Sequence, residues 1–284
     1  MRLAIIGHGF VGKAVDYGFS NQQVEKRILD PKYAHTDNDQ YKLKDWKPDL
    51  IFVCVPTPMG DDGNINSSIL KSVMDNLDEC LKETLIVIKS TVTPNVIAEY
   101  KFWNNVVYNP EFLTEKSACE QFVNPEFHIF GGDIYNTKRL EEFYEKYSLC
   151  TPCPSYHMNH EEASLVKYTI NSFLATKITF FNQLYDLCRT NGDVNFNTII
   201  KAVGADNRIA PSHTKVPGFD GKQGYGGACF PKDTLAFAKF SDELSLLAKA
   251  IEINNTYRSQ YERDEREKEQ NIQFNHVQLN QNMV

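Results

Sequence analysis

The chain has 284 residues, with 30 Lys and Arg against 37 Asp and Glu and a formal net charge of −7. A hydrophobic content of 42% and a charged content of 24% exclude disorder as the main state, and the length suits one large or two modest domains. The acidic balance argues against a nucleic-acid-binding surface, because phosphate binding needs an excess of Lys and Arg, although it allows a local basic pocket for an anionic ligand.

The cysteines and the apolar runs bear on the compartment. The chain has seven cysteines, an odd number, and several lie in apolar runs such as residues 51–55, which predicts thiols without a disulfide framework in a reducing cytoplasm. The apolar stretch at residues 3–6 is too short for a signal peptide, and the longest run, residues 50–56, is too short to cross a membrane. We therefore expect a cytoplasmic protein with no membrane partner.

The first half of the chain alternates short apolar runs with amphipathic stretches. Helices are predicted at residues 11–19 and 67–82 from apolar residues at helical spacing. Strands are predicted at residues 2–6, 27–29, 50–55, 85–88, 105–108 and 127–130. Strands that are apolar throughout predict a parallel sheet covered on both faces, so we expect an α/β fold with a Rossmann-type, doubly wound sheet.

The second half is predicted to be helical. Residues 159–188 contain neither Pro nor Gly, and their apolar stripe is too wide for a single contact surface. The stripe is explained by a core helix, or by a helix of which one part meets a second subunit. A shorter helix at 196–203, a Gly- and Pro-rich loop at 210–227 and a further helix from Pro231 to Arg258 follow.

The domain prediction follows from this change of pattern. We expect a dinucleotide-binding domain at residues 1–156, a helical central and dimerisation domain at 157–258 and a polar tail at 259–284. The tail is rich in Glu, Lys and Arg and then in Gln and Asn, which predicts a solvated helix end followed by disorder.

A glycine motif lies where the first strand meets the first helix. Residues 7–12 read GHGFVG, a match to G-x-G-x-x-G in the strand-to-helix context that gives the pattern its meaning. Gly7 permits the tight turn, Gly9 lets the backbone approach a pyrophosphate, and Gly12 allows close helix–strand packing. Asp30 directly follows the second strand, where an acid binds the ribose diol and favours NAD over NADP. The alternative is a glycine turn with no ligand.

Two more loops leave the carboxyl ends of predicted strands, where open parallel sheets bind their ligands. Residues 55–58 read VPTP and residues 90–94 read STVTP. Helix capping and turn formation explain Ser or Thr beside Pro equally well. We expect Thr57 and Thr91 to line the cofactor pocket as well.

The most specific string, GYGGACFPKD, occupies residues 224–233. Cys229 lies just ahead of a predicted helix N-terminus with Lys232 nearby, a setting that lowers a thiol pKa and raises its nucleophilicity. A buried, inert cysteine is the alternative, but it does not account for the surrounding glycines.

With these motifs the sequence resembles the UDP-glucose/GDP-mannose dehydrogenase family over residues 1 to about 258. The resemblance also rests on YNPEFLTE at 108–115, EASLVKY at 162–168, GADNRI at 204–209 and VPGFDG at 216–221. It implies two successive NAD-dependent oxidations of a nucleotide sugar at its 6-hydroxyl, with UDP-glucose the first choice. GDP-mannose, a UDP-hexosamine, or a non-catalytic dimeric scaffold are the alternatives.

The resemblance also implies roles for individual residues. Cys229 would hold the aldehyde as a thiohemiacetal and then a thioester, Lys167 and Asn171 would stabilise the oxyanion, and Asp233 would activate water with Thr91 and Glu115. The NAD contacts would be Gly7, Gly9, Phe10, Val11, Gly12, Asp30, Lys32, Thr57, Thr91, Glu115 and Lys232. The substrate contacts would be Glu111, Phe112, Leu113, Thr114, Lys167, Asn171, Arg208, Gly218, Phe219, Asp220, Gly221, Lys222 and Gly226. Arg208 would reach the site of a second subunit in a homodimer.

Two features depart from these expectations. Cys150, Cys153, His157 and His160 lie within eleven residues and suggest zinc, but zinc sites separate their ligand pairs more widely, so we expect a linker and no metal. Family members continue into a second Rossmann-like domain, which residues 261–284 do not resemble.

Overall fold

A seven-stranded sheet organises the first half of the chain in the computed structural model, which describes residues 1–32, 42–78, 81 and 83–274. The strand order is β2-β1-β3-β4-β5-β6-β7, and every neighbouring pair is parallel except β5 and β6, which are antiparallel. The strands are β1 (Arg2–Ile6), β2 (Glu25–Leu29), β3 (Leu50–Val53), β4 (Leu85–Ile88), β5 (Val106–Tyr108), β6 (His128–Gly132) and β7 (Ser155–Met158).

Both faces of the sheet are covered. In β3, Ile51 and Val53 pack into one apolar cluster, whereas Leu50 and Phe52 pack into another. Because successive side chains of a strand point to opposite faces, a strand buried on both faces must be apolar throughout. This confirms the predicted α/β fold with a doubly wound sheet. The helices of the first half are α1 (Phe10–Gly18), α2 (Lys42–Trp46), α3 (Ser68–Asp78), α4 (Pro94–Ala98), α5 (Ala118–Val123) and α6 (Ile134–Tyr147).

The remaining described helices follow the sheet. They are α7 (His160–Thr190), α8 (Phe196–Val203), α9 (Phe230–Phe240), α10 (Ser245–Arg258) and α11 (Glu265–Glu269). The single helix predicted from Pro231 to Arg258 is wrong, because Ser241 has extended backbone angles and ends α9 before α10 begins. The predicted helix at 67–82 ends at Asp78, and residues 79, 80 and 82 lie outside the described part of the chain. None of the described helices is long and apolar enough to cross a bilayer.

The chain divides into two compact units at other positions than predicted. Unit 1 comprises residues 1–57 and 66–167, and unit 2 comprises residues 58–65 and 168–284. The predicted boundary at 156/157 therefore differs from the observed one, since the first eight residues of α7 belong to unit 1. The assignment of a dinucleotide-binding and a central domain stays a prediction at this point.

The predicted solvated tail does not fit residues 259–274. Ile272 and Phe274 are buried in an apolar cluster with Met59 and Leu235, and Glu267 has no exposed surface. A short stretch of apolar residues is enough to attach a polar segment when another part of the chain offers an apolar surface. Residues 275–284 lie outside the described part of the chain.

Candidate active site

The glycine motif forms the turn between β1 and α1. Gly7 has a φ of +90°, and a Cβ there would lie 2.6 Å from the carbonyl oxygen of Cys54. A Cβ at Gly12 would collide with the carbonyl oxygen of Gly7, whereas one at Gly9 would meet no heavy atom of the described residues within 4 Å. Gly9 is the N-cap of α1 and offers no side-chain cap, so the first-turn N–H groups are available to an anion.

Asp30 lies at the carboxyl end of β2, next to this turn. Its carboxylate accepts hydrogen bonds from the backbone N–H groups of His8, at 2.6 Å, and Lys32, at 2.8 Å. These bonds hold a buried acid beside the glycine turn, the position that a ribose diol needs. The motif and the acid are therefore neighbours, as the sequence pattern predicts.

The loops after β3 and β4 are joined to each other. The Thr57 hydroxyl donates to the carbonyl oxygen of Thr91 at 2.8 Å, and the Ser90 hydroxyl donates to that of Val55 at 2.7 Å. Because β1 to β4 run parallel, their carboxyl ends meet at one edge of the sheet. Unit 1 thus gathers the glycine turn, Asp30 and these two loops along that edge.

A buried ion pair connects the end of unit 1 in α7 with the segment after β5. The Lys167 ammonium donates to the carbonyl oxygen of Glu111 at 2.5 Å and lies 3.2 Å from its Oε1 atom. Glu111 Oε2 accepts from the N–H of Leu113 at 2.6 Å, and the ammonium lies 5.2 Å from the ring centre of Phe112. Thr114 is held by Gln121, whose Oε1 accepts from both its N–H and its hydroxyl. Glu115 begins a short 3₁₀ helix.

Cys229 is the N-cap of α9 in unit 2. The N–H of Asp233 donates to the Cys229 carbonyl oxygen at 3.0 Å, and Pro231 occupies the first turn, where its missing N–H costs nothing. The side chain is partly exposed. The position at a helix N-terminus is the one expected from the sequence, and it favours a thiolate.

A carboxylate with two donors occupies the first turn of α9. Asp233 Oδ2 accepts from the Asn171 amide at 2.7 Å, and Asp233 Oδ1 accepts from the Lys232 ammonium at 2.5 Å. All three side chains are buried. Unit 2 therefore brings together Cys229, Asn171, Lys232 and Asp233, four of the predicted site residues.

The other predicted residues of unit 2 lie at its surface or make internal contacts. The Arg208 side chain is 89% exposed, and its guanidinium forms a bidentate pair with Asp206. In the loop at 218–222, the ring of Phe219 is exposed and the Lys222 ammonium donates to the carbonyl oxygen of Glu262 at 2.6 Å. Asp220 pairs with Arg258 at 2.7 Å.

Arg258 and Glu267 are absent from the residues predicted from the sequence. Their side chains form a buried ion pair of 2.6 Å, and Glu267 also contacts the glycine-rich loop at Gly227. The sequence does indicate a helix start here, because Asp264 and Glu267 have the D-x-x-E spacing of a capping box. The structure contains this capping box. No comparable local pattern in the sequence indicates that the Glu267 carboxylate pairs with Arg258 or accepts from the Gly227 N–H.

The cysteine and histidine cluster at 150–160 does not assemble into a metal site in the residues described. The Cys150 thiol donates to the carbonyl oxygen of Phe122, and His160 contacts that of Val106. Throughout 1–32, 42–78, 81 and 83–274, no three His, Cys, Asp or Glu side chains converge as metal ligands would. The segment expected to be a linker instead contains β7, so that expectation is wrong.

Two family models match the chain. Residues 36–148 match the NAD binding domain of the UDP-glucose/GDP-mannose dehydrogenase family, and residues 161–256 match the central domain of the same family. The chain belongs to this family.

Relatives within the family share sequence and fold with the chain. It is 39% identical to the UDP-glucose 6-dehydrogenase of Rickettsia felis over an alignment of 199 residues. This alignment covers 66% of this chain and 42% of that protein. A UDP-glucose dehydrogenase structure from Pyrobaculum islandicum is 27% identical, with a TM-score of 0.77 over 90% of this chain and 68% of that one. The chain is also similar to the structure of a UDP-D-ManNAc dehydrogenase from Pyrococcus horikoshii, with a TM-score of 0.76 over 91% of this chain and 69% of that one. At 21% identity this similarity shows only that the two chains share a fold. The chain spans less than half the length of the first curated relatives it matches.

The residues present fit the cofactor of the family's NAD binding domain. The open side of Gly9, the uncapped start of α1 and the carboxylate of Asp30 suit a pyrophosphate and an unphosphorylated ribose. The glycine motif itself precedes the matched range, so this fit adds evidence that the family match does not contain. The expectation of NAD is confirmed.

Proposed function

We propose that the chain catalyses the NAD-dependent oxidation of a nucleotide sugar at its 6-hydroxyl to the carboxylate, with UDP-glucose as the substrate and UDP-glucuronate as the product. The observation that carries this proposal is the position of Cys229 at the N-terminus of α9, one turn before Asp233 and its two donors. The names of the curated relatives support UDP-glucose over other nucleotide sugars.

Two oxidations need two hydride acceptors and one covalent intermediate. NAD, when bound, supplies the acceptor for each hydride. The Cys229 thiolate adds to the aldehyde carbon formed in the first oxidation, and the C=O π electrons become the oxyanion of a thiohemiacetal. In the second oxidation this oxyanion re-forms the C=O bond as the carbon-bound hydrogen leaves as hydride, which gives a thioester. Water then attacks the resulting thioester carbon, releasing the carboxylate and returning the thiol.

The side chains that the proposal assigns to the remaining steps have the chemistry that these steps need. Asp233, fixed by Asn171 and Lys232, retains lone pairs that accept a proton from the attacking water, a role we also assign in part to Thr91 and Glu115. The cationic Lys167 and the amide of Asn171 are donors of the kind that stabilises an oxyanion. The substrate itself would be held by Glu111 to Thr114, Arg208, the loop at 218–222 and Gly226.

The test is a turnover assay with NAD and a panel of UDP-glucose, GDP-mannose and UDP-hexosamines, followed by NADH absorbance and product mass. We expect two NADH per UDP-glucuronate, complete loss in Cys229→Ala, and full activity in the control Cys119→Ala, which removes another partly exposed thiol. Turnover of a different sugar would replace the substrate, and a folded chain that oxidises none of them would favour the non-catalytic scaffold.

We also propose a homodimer formed through α7. Phe173, Phe180 and Leu187 are spaced by seven residues on this helix and are 67%, 61% and 57% exposed. Large apolar side chains in a row on one helix face are typical of a helix–helix interface. The location is proposed to be the cytoplasm, supported by the absence of a disulfide among the six described cysteines.

A further inference from the structure

The backbone of residues 224–229, the cysteine loop, is held by side chains from three helices. The N–H of Gly224 donates to Asn182 Oδ1 at 2.9 Å, and that of Tyr225 donates to Asn254 Oδ1 at 2.6 Å. The N–H of Gly227 donates to Glu267 Oε1 at 3.0 Å. Of these three anchors, the one made by Glu267 lies nearest to Cys229 along the chain.

The Glu267 carboxylate is buried and fully engaged. Its side chain has 0% exposure, Oε1 also accepts from Arg258 at 2.6 Å, and Oε2 accepts from the N–H of Asp264 at 2.9 Å. Arg258, 1% exposed, donates its other terminal nitrogen to Asp220 at 2.7 Å. The Arg258–Glu267 pair is excluded from water, and a buried charge-assisted pair holds its members in one geometry more firmly than neutral bonds at a surface.

This network accounts for a glycine of the cysteine loop. A Cβ at Gly226 would collide with the guanidinium of Arg258 and with Glu267 Oε1. Gly227 has a φ of +79°, a backbone conformation that side chains of L-residues disfavour. The requirement for glycine at 226 therefore arises from packing against the ion pair. The cysteine loop packs closely against the Arg258–Glu267 pair.

We infer that Glu267 is a positioning residue for Cys229. By accepting the N–H of Gly227 it fixes the orientation of that peptide plane, and with it the course of the backbone to the cysteine two residues later. The inference rests on the proposed function of Cys229, and it makes the segment at 264–274 a support of the reacting thiol.

The test compares Glu267→Gln with Glu269→Gln, the same substitution at an exposed position of α11. A glutamine has one acceptor oxygen and no charge, so the Gly227 N–H either faces the glutamine NH2 group or keeps only a neutral, weaker bond in place of the charge-assisted one. We expect Glu267→Gln to lower kcat about 10- to 100-fold with a much smaller change in KM, because a displaced reacting group costs rate more than binding. Glu269→Gln should match the unmodified chain.

Two readouts do not depend on turnover. Hydrogen exchange of the Gly227 amide should be about 10-fold faster in Glu267→Gln, as expected for a lost protecting bond. The pH midpoint of Cys229 alkylation by iodoacetamide should rise, because a helix N-terminus stabilises the thiolate only while the sulfur stays beside it. If the unmodified chain oxidises no nucleotide sugar, the proposed function fails, but these two readouts still test the positioning.

The contradicting result is a folded Glu267→Gln with a lower melting temperature whose Gly227 exchange, alkylation midpoint and kcat all equal those of Glu269→Gln. That outcome would reduce Glu267 to a packing residue. Should Glu267→Gln not fold, Glu267→Asp keeps the charge with a shorter reach and should show the same changes to a smaller degree. A Gly227 amide that exchanges in the unmodified chain at the rate of an unfolded peptide would overturn the inference without any variant.

Discussion

The amide of Asn171 donates a 2.7 Å hydrogen bond to the carboxylate of Asp233, with both side chains buried. The amide is a neutral donor, so it satisfies the carboxylate without placing a second negative charge beside it. An acid in place of Asn171 would put a second carboxylate beside that of Asp233. Two carboxylates that share a site raise the pKa of one of the two groups.

Asn171→Asp should therefore lose stability as the pH rises. The pKa of the acid pair in the folded state lies above the value in the unfolded chain, so stability present at low pH is lost as the pH increases through the folded pKa. In urea unfolding, the variant's loss of unfolding free energy relative to the unmodified chain should increase by about 1 to 3 kcal/mol between pH 5 and pH 8. Asn171→Ala, which removes the donor without adding charge, should show no such growth.

Breaking the buried ion pair between Lys167 and Glu111 should be costly. Lys167→Met leaves a buried carboxylate without its cation, and we expect a loss of about 3 kcal/mol in the free energy of unfolding. The matched control is Lys249→Met, which breaks an exposed pair with Glu252 and should cost less than about 1 kcal/mol. Equal losses in the two variants would show that burial does not govern the strength of the Lys167 pair.

His128 should make the chain less stable in acid. Burial first, and the charge of Lys89 second, lower the pKa of His128 from its ordinary value of 6.5 to about 4. The unfolded chain thus takes up a proton near pH 6.5 while the folded chain does so only near pH 4, so stability falls as the pH drops through that window.

The measurement compares the unmodified chain with His128→Phe, which keeps an aromatic ring beside Phe130 and Tyr144. Between pH 7 and pH 4.5 the unmodified chain should lose about 2 to 3 kcal/mol more than the variant in urea unfolding. Parallel losses in both would assign the acid sensitivity to other groups.

The proposed dimer predicts a change of mass on substitution of α7. Phe180→Glu places a charge in the exposed apolar row and should halve the mass measured by light scattering at micromolar concentration. Leu246→Glu, at an exposed apolar position on α10, should leave the mass unchanged. A monomeric unmodified chain would exclude the dimer, and a dimer in both variants would move the interface elsewhere.

Local patterns predicted the parts of the molecule that local forces control. The apolar runs of β1, β3 and β4, the glycine turn with Asp30, and Cys229 at the start of α9 all follow from strand burial, backbone freedom and helix termini. The glycine turn and the start of α9 depend on residues only a few positions away in the sequence. The strands require only that apolar side chains cover both faces of the sheet.

Long-range pairing was decided by the folded chain. Nothing within a few residues of Glu267 indicates that its carboxylate meets Arg258 and the Gly227 amide, 40 residues earlier in the chain. A polar, charged segment reads as solvated until the rest of the fold offers it a buried cation and an apolar cluster. The antiparallel pairing of β5 with β6 likewise depends on the direction in which the chain re-enters the sheet after α5. Burial of a charge is a property of the surroundings, and those surroundings exist only once distant parts of the chain have packed together.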